Sequence, residues 1–124
     1  MDSILIWTYI INSAIIIAHE VDSAYQREWE LFRIPGGPGL FVLAHIPLAT
    51  IIFYGLLGIY AGDVVGLYIS LALAISGMLG FLLHASFLAR GDKRFTSPYS
   101  IAIIIMMLLF SFVQALLSAG KLLA

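Results

Sequence analysis

The chain has 124 residues, of which 62% are hydrophobic and 10% charged, and its mean hydropathy of +1.07 lies far outside the soluble globular range. A chain of 13.6 kDa has too little interior to hide that much apolar surface from water, so lipid is its natural solvent. Six Lys and Arg against seven Asp and Glu leave no basic surface for a nucleic acid partner, and the lack of cysteine removes disulfides, thiolate nucleophiles and sulfur-ligated metals.

A bilayer core is crossed by about 20 helical residues, and four apolar runs of that size follow one another. The first starts near Ile4, covers residues 4–23 and is apolar to Ala18 apart from Asn12 and Ser13. It lacks the basic start and small-residue cleavage site of a secretory signal, so it reads as a retained span, with helix continuing through Glu30 or Phe32. Two prolines and three glycines in the stretch from Arg33 to Gly39 predict a loop. A second span covers residues 40–61, Gly62 and Asp63 make a tight turn, and a third span covers 64–89. After the charged segment 91–96, Ser97 and Pro98 read as an N-cap and a first-turn proline opening a fourth span over 98–119, with Lys121 at its far end. The expected architecture is a single all-α transmembrane domain over residues 1–124, an integral membrane four-helix bundle of antiparallel up-down topology.

Arg27, Arg33, Arg90, Lys93 and Arg94 all fall in the loops joining spans one to two and three to four, and only Lys121 lies opposite. The positive-inside tendency therefore places those loops in the cytoplasm and both termini outside, in the cell (inner) membrane. Small residues predict where spans meet: Ser70, Gly77 and His84 recur every seven residues with Gly80 near their face, and Gly55 and Gly58 lie on span two. Ser111, Gln114 and Ser118 on span four are expected to hydrogen-bond between helices, away from the histidines. Tyr25, Trp29, Phe32, Phe95 and Tyr99 read as anchors at one membrane interface.

The three histidines carry the strongest chemical signal. His19 ends span one, His45 lies about five residues into span two and His84 about six residues before the end of span three, so chain reversal brings all three to one leaflet at similar depth. Asn12, His19, Asp22, Ser23, Gln26 and Glu30 share one face of the first helix, with Glu20 and Arg27 on an adjacent face. Ionisable groups at membrane depth are costly and usually face a bundle interior, which marks this layer as a candidate functional site. Three imidazoles and one carboxylate, His19, His45 and His84 with Asp22 or Glu20, match the nitrogen-and-oxygen ligation of a divalent metal such as zinc. A position left to water would supply a hydroxide nucleophile, with Glu20 or Asp22 as the catalytic general base. The competing reading has each histidine hydrogen-bonding across a helix interface, with Glu28, Glu30, Arg27 and Arg33 in solvated pairs. His19-Glu20-Val21-Asp22-Ser23 has serine where a zincin has its second histidine, Pro35 to Gly39 lacks the Lys-Ser/Thr of a P-loop, and no Gly-x-Ser-x-Gly occurs.

The string His19-Glu20-Val21-Asp22-Ser23-Ala24-Tyr25, with Glu28-Trp29-Glu30-Leu31-Phe32, Pro35-Gly36-Gly37 and His45-Ile46-Pro47, resembles a family of small multi-span membrane proteins of unknown function, mostly bacterial. The likeness covers residues 8–60 and implies the architecture, not an activity. Membrane proteins with a His-x-x-Glu-Glu motif are loosely similar, but Asp22-Ser23 stands where the paired glutamates would be, so no role transfers. The expected function is thus a histidine and carboxylate site near the cytoplasmic leaflet, serving a membrane hydrolase on lipidic substrates. The alternatives are a protein that binds or transports a ligand, cation or proton, or a structural subunit. The expected partners are the lipid bilayer, a lipidic or amphiphilic ligand, and further copies or subunits in a membrane complex.

Overall fold

The structure, a computed structural model, describes residues 2–124. Among these the chain forms four long apolar helices and one short one: α1 (Ser3–Tyr25), α2 (Glu28–Leu31), α3 (Gly37–Ala61), α4 (Val64–Ala89) and α5 (Pro98–Leu123). Each long helix is long and apolar enough to cross a membrane, and the bundle fits an integral membrane protein. Its outward surface is apolar too, with Trp7, Phe53, Leu57, Leu79, Leu109 and Phe112 all exposed. A water-soluble bundle would place polar residues there.

The helix ends follow from local chemistry. Asp2 caps α1 by accepting from the amides of Ile4 and Leu5 at 3.1 and 3.2 Å, Asp63 caps α4 through Val65, and Ser97 caps α5 through Ser100. Three helix ends differ from expectation. The first helix does not run on to residue 30: Gln26 closes its last turn and Arg27 adopts a left-handed conformation, φ 58°, which redirects the chain into α2. The expected loop before span two is shorter, because Gly36 takes φ 106° as N-cap and Pro38 sits in the first turn of α3, where its missing amide costs nothing. The fourth helix also extends past 119 to Leu123, placing Lys121 in its last turn.

Leu5, Tyr9, Ile16, Ile52, Ile59, Leu73 and Met107 form the apolar core. Gly55, Gly58 and Gly77 mark close approaches as expected, and Gly66 adds one that the sequence reading did not name. A side chain on Gly66 would strike the backbone of Gly58 and Ile59, so α3 and α4 cross in direct backbone contact just beyond the Gly62 turn. Gly77 accepts Ser111 of α5, and Gly55 accepts the Tyr9 hydroxyl, which donates to the carbonyl of Ile52 at 2.6 Å.

One polar seam runs through this interior. The Asn12 amide donates to Ser111 Oγ and Gln114 Oε1 at 3.1 and 2.9 Å, the Gln114 amide donates to the Ser70 carbonyl at 2.9 Å, and the Ser70 and Ser118 hydroxyls meet at 2.7 Å. It joins α1, α4 and α5, satisfying groups that lipid could not.

Candidate functional site

His19, on the buried stripe of α1, meets His84, on the buried stripe of α4, with their Nε2 atoms 3.1 Å apart. Both rings are almost fully inaccessible. Glu28 of α2 places Oε1 3.3 Å from His84 Nε2, and Ser23 Oγ lies 3.4 Å from His19 Nε2, one turn along α1. The donor atoms of His19, Glu28 and His84 all fall within 4.8 Å of one another. Both Nδ1 atoms are buried without a hydrogen-bond partner among the described residues, so each ring makes its polar interactions through Nε2, at one common point.

Glu28 arrives there because of the break after α1. On a continuous helix residue 28 would point half a turn away from residue 19, at about 100° per residue. The left-handed Arg27 turns the chain back so that Glu28 faces inward while Glu30 faces out to Arg27 and Arg94 at 2.6 and 3.0 Å. Burial pushes the Glu28 carboxyl up, but hydrogen bonds from His84 and Ser23 and the charge of both histidines hold it below the ordinary glutamate value. Glu28 is therefore a carboxylate inside the cluster.

Phe95 closes the site. Its ring is 2% exposed and packs 4.3 Å from the His84 ring and 5.9 Å from His19. Like Arg27 and Arg33, it holds a positive φ, here 60°. Such backbone is rare for bulky side chains and collects at functional sites. Phe95 and Trp29, buried against Phe41, are thus packing residues rather than interface anchors, whereas Tyr25 and Tyr99 are fully exposed.

Of the other sequence-predicted residues, neither His45 nor Asp22 joins this cluster. His45 Nε2 pairs with Glu20 Oε2 at 2.6 Å, and its Nδ1–H donates to the Phe41 carbonyl at 2.6 Å. Asp22 accepts from Ser100 Oγ at 2.6 Å, beside the α5 N-terminus. His19 and Glu20, adjacent in sequence, therefore serve two different neighbours, α4 and α3. Glu28 is the member that sequence reasoning placed in a solvated pair; the left-handed Arg27 that aims it inward leaves no mark in the sequence.

A zinc ion bound at 2.0–2.1 Å in tetrahedral geometry holds its ligand atoms about 3.3–3.4 Å apart. The observed 3.1 and 3.3 Å spacings are close to that edge length. Two neutral imidazoles and a carboxylate are also a donor set that zinc accepts.

The chain belongs to a family of unknown function (DUF6713), whose profile matches residues 5–121. Neither the curated proteins nor the solved structures contain a match to it.

Proposed function

We propose that this chain is a small four-span membrane protein that binds a divalent transition metal of the zinc class through His19, His84 and Glu28. The observation that carries the reading is the convergence of two imidazole nitrogens and a carboxylate oxygen on one buried point. Where all three atoms present lone pairs they repel one another, and a cation held between them turns that repulsion into ligation.

Three protein ligands would leave a zinc-class ion one further coordination position to fill. Were zinc bound there it would lower the pKa of a water that reached it towards neutrality, the chemistry of a hydrolase on lipidic substrates at headgroup depth, and a substrate would have to displace Phe95, which covers the site in this structure. Glu20 and Asp22 flank the site without entering it, engaged by His45 and Ser100. The same convergence suits a non-enzymatic protein that holds a cation or proton, and the His19–His84 contact at 3.1 Å favours a proton as the second occupant. The loops bearing Arg27, Arg33, Arg90, Lys93 and Arg94 lie on the cytoplasmic side of the cell membrane in this reading, so cysteines introduced at 91–96 resist labelling from outside intact cells.

The test is elemental analysis of full-length protein purified from zinc-replete cells without chelators. One metal per chain, lost in His19→Ala and His84→Ala variants that keep their helical content, supports the proposal. Wild-type protein that is metal-free and takes up no zinc on titration overturns it.

A further inference from the structure

Away from the histidine cluster, α1 and α3 part to leave a cleft of about 270 Å³ whose wall is apolar save for two groups, Glu20 and His45. Ile17, Val21, Val42 and Leu48 form its rim and are exposed on the outer surface, so it opens sideways towards lipid. Ala24 and Ala49 leave the space between the helices, which pack less extensively on each other than α1 on α5, α3 on α4 or α4 on α5. The size lies just under the roughly 300–1,000 Å³ of ordinary ligand sites, and an apolar wall with a few fixed polar groups is their usual make-up.

The protonation of the pair follows from its partners. The Phe41 carbonyl can only accept, so His45 Nδ1 carries a hydrogen. The 2.6 Å contact between His45 Nε2 and Glu20 Oε2 then needs one further proton, held between them. With that proton placed, every donor of the pair is used within the protein. Glu20 Oε1 takes no hydrogen bond from any described residue, while the side chains of Glu20 and His45 remain 27% and 29% exposed. The pair therefore offers the cleft an acceptor and no donor.

We infer that the α1–α3 cleft binds a single-chain amphiphile whose head donates a hydrogen bond, a long-chain alcohol or amine, with the chain along Ile16, Val21 and Ile52 and the head on Glu20 Oε1. A carboxylate head is rejected, because it brings a second acceptor to an acceptor. The site is independent of metal at His19, His84 and Glu28.

The test uses the full chain in phosphatidylcholine nanodiscs with hexadecanol carrying a mid-chain diazirine, beside its methyl ether, which has the same chain but no donor. The alcohol is expected to label α1 and α3 residues around the cleft about tenfold more than the ether, the scale of one hydrogen bond to a charged group. Excess octadecylamine competes and excess stearate at alkaline pH does not. Glu20→Leu combined with His45→Leu, which removes both groups able to accept in the cleft, abolishes the preference for the alcohol, and Ala49→Trp, which fills the cleft, removes labelling by both. Equal labelling by alcohol and ether in the wild type overturns the inference. So does labelling spread over outward residues such as Leu57 and Leu109, or an alcohol preference that survives the combined Glu20→Leu and His45→Leu substitutions. Chelation leaves the labelling unchanged, which separates this inference from the metal proposal.

Discussion

His19 and His84 meet edge to face, ring centroids 4.7 Å apart and planes 80° to each other, across 65 residues of chain. That attitude aims both Nε2 atoms at the space Glu28 enters from the side. Glu28→Gln, similar in size but a weaker ligand, is expected to weaken zinc binding beyond the roughly 10–100-fold that outer-shell partners account for. His84→Ala abolishes binding, whereas Asp22→Asn and His45→Ala leave it within a few-fold. Competition against a chromogenic chelator reads all four, and equal losses from His45→Ala and His84→Ala would show a different ligand set.

The polar seam gives a second prediction. Asn12 and Gln114 are fully buried and bonded to each other across α1 and α5. Hydrogen bonds between membrane helices contribute about 0.6 kcal/mol on average and up to about 1.7. A double-mutant cycle with Asn12→Ala and Gln114→Ala, followed by unfolding in mixed micelles, should return a coupling inside that range. Strict additivity would mean the seam is packing alone.

Glycines on the helices should divide sharply by what surrounds them. A methyl group on Gly66 falls on the backbone of Gly58 and Ile59, which cannot rotate aside, so Gly66→Ala is expected to cost about 1–3 kcal/mol. Gly120 has open space around it within α5, and Gly120→Ala should stabilise by up to about 1 kcal/mol through helix propensity. Thermal unfolding in detergent compares the two directly.

Asp2 supplies a pH dependence. Its hydrogen bond with Lys121, at 2.9 Å, and those from the α1 amides hold its carboxyl below the ordinary value of 3.8. The unfolded chain thus binds a proton more readily than the folded one, and stability present above pH 3.8 is lost as the pH falls through the lowered value. The partly exposed pair makes the effect small, up to about 1 kcal/mol. Asp2→Asn keeps an N-cap acceptor but should lose this acid response, seen as parallel melting curves at neutral and acidic pH.

Much of the architecture was legible because it rests on signals that act locally. Apolar run length, the Ser97 cap, the turn at Gly62 and Asp63 and the spacing of Ser70, Gly77 and His84 all report on positions near themselves in sequence, and the structure uses each as its chemistry suggests. The pairing of His19 with His84 was legible for the same reason, since depth along a helix is a count of residues. Azimuth was not. Whether His45 faces His84 or Glu20 depends on how α3 is turned about its own axis, and its weak amphipathic pattern, with most of the helix exposed to its surroundings, leaves that undetermined. Glu28 was lost to a left-handed Arg27, a conformation that arginine adopts only under constraint from the rest of the fold.

His19 and Glu20 are consecutive residues on one rigid helix, and they look in different directions. Any rotation of α1 that eases Glu20 away from His45 also swings His19 relative to His84, by the same angle. An amphiphile that takes an acceptor the Glu20–His45 pair already presents fills the cleft without turning the helix, so each face of the shaft keeps its own occupant. With no rotation to share, neither ligand alters the affinity of the other, and thermodynamic reciprocity makes that indifference mutual.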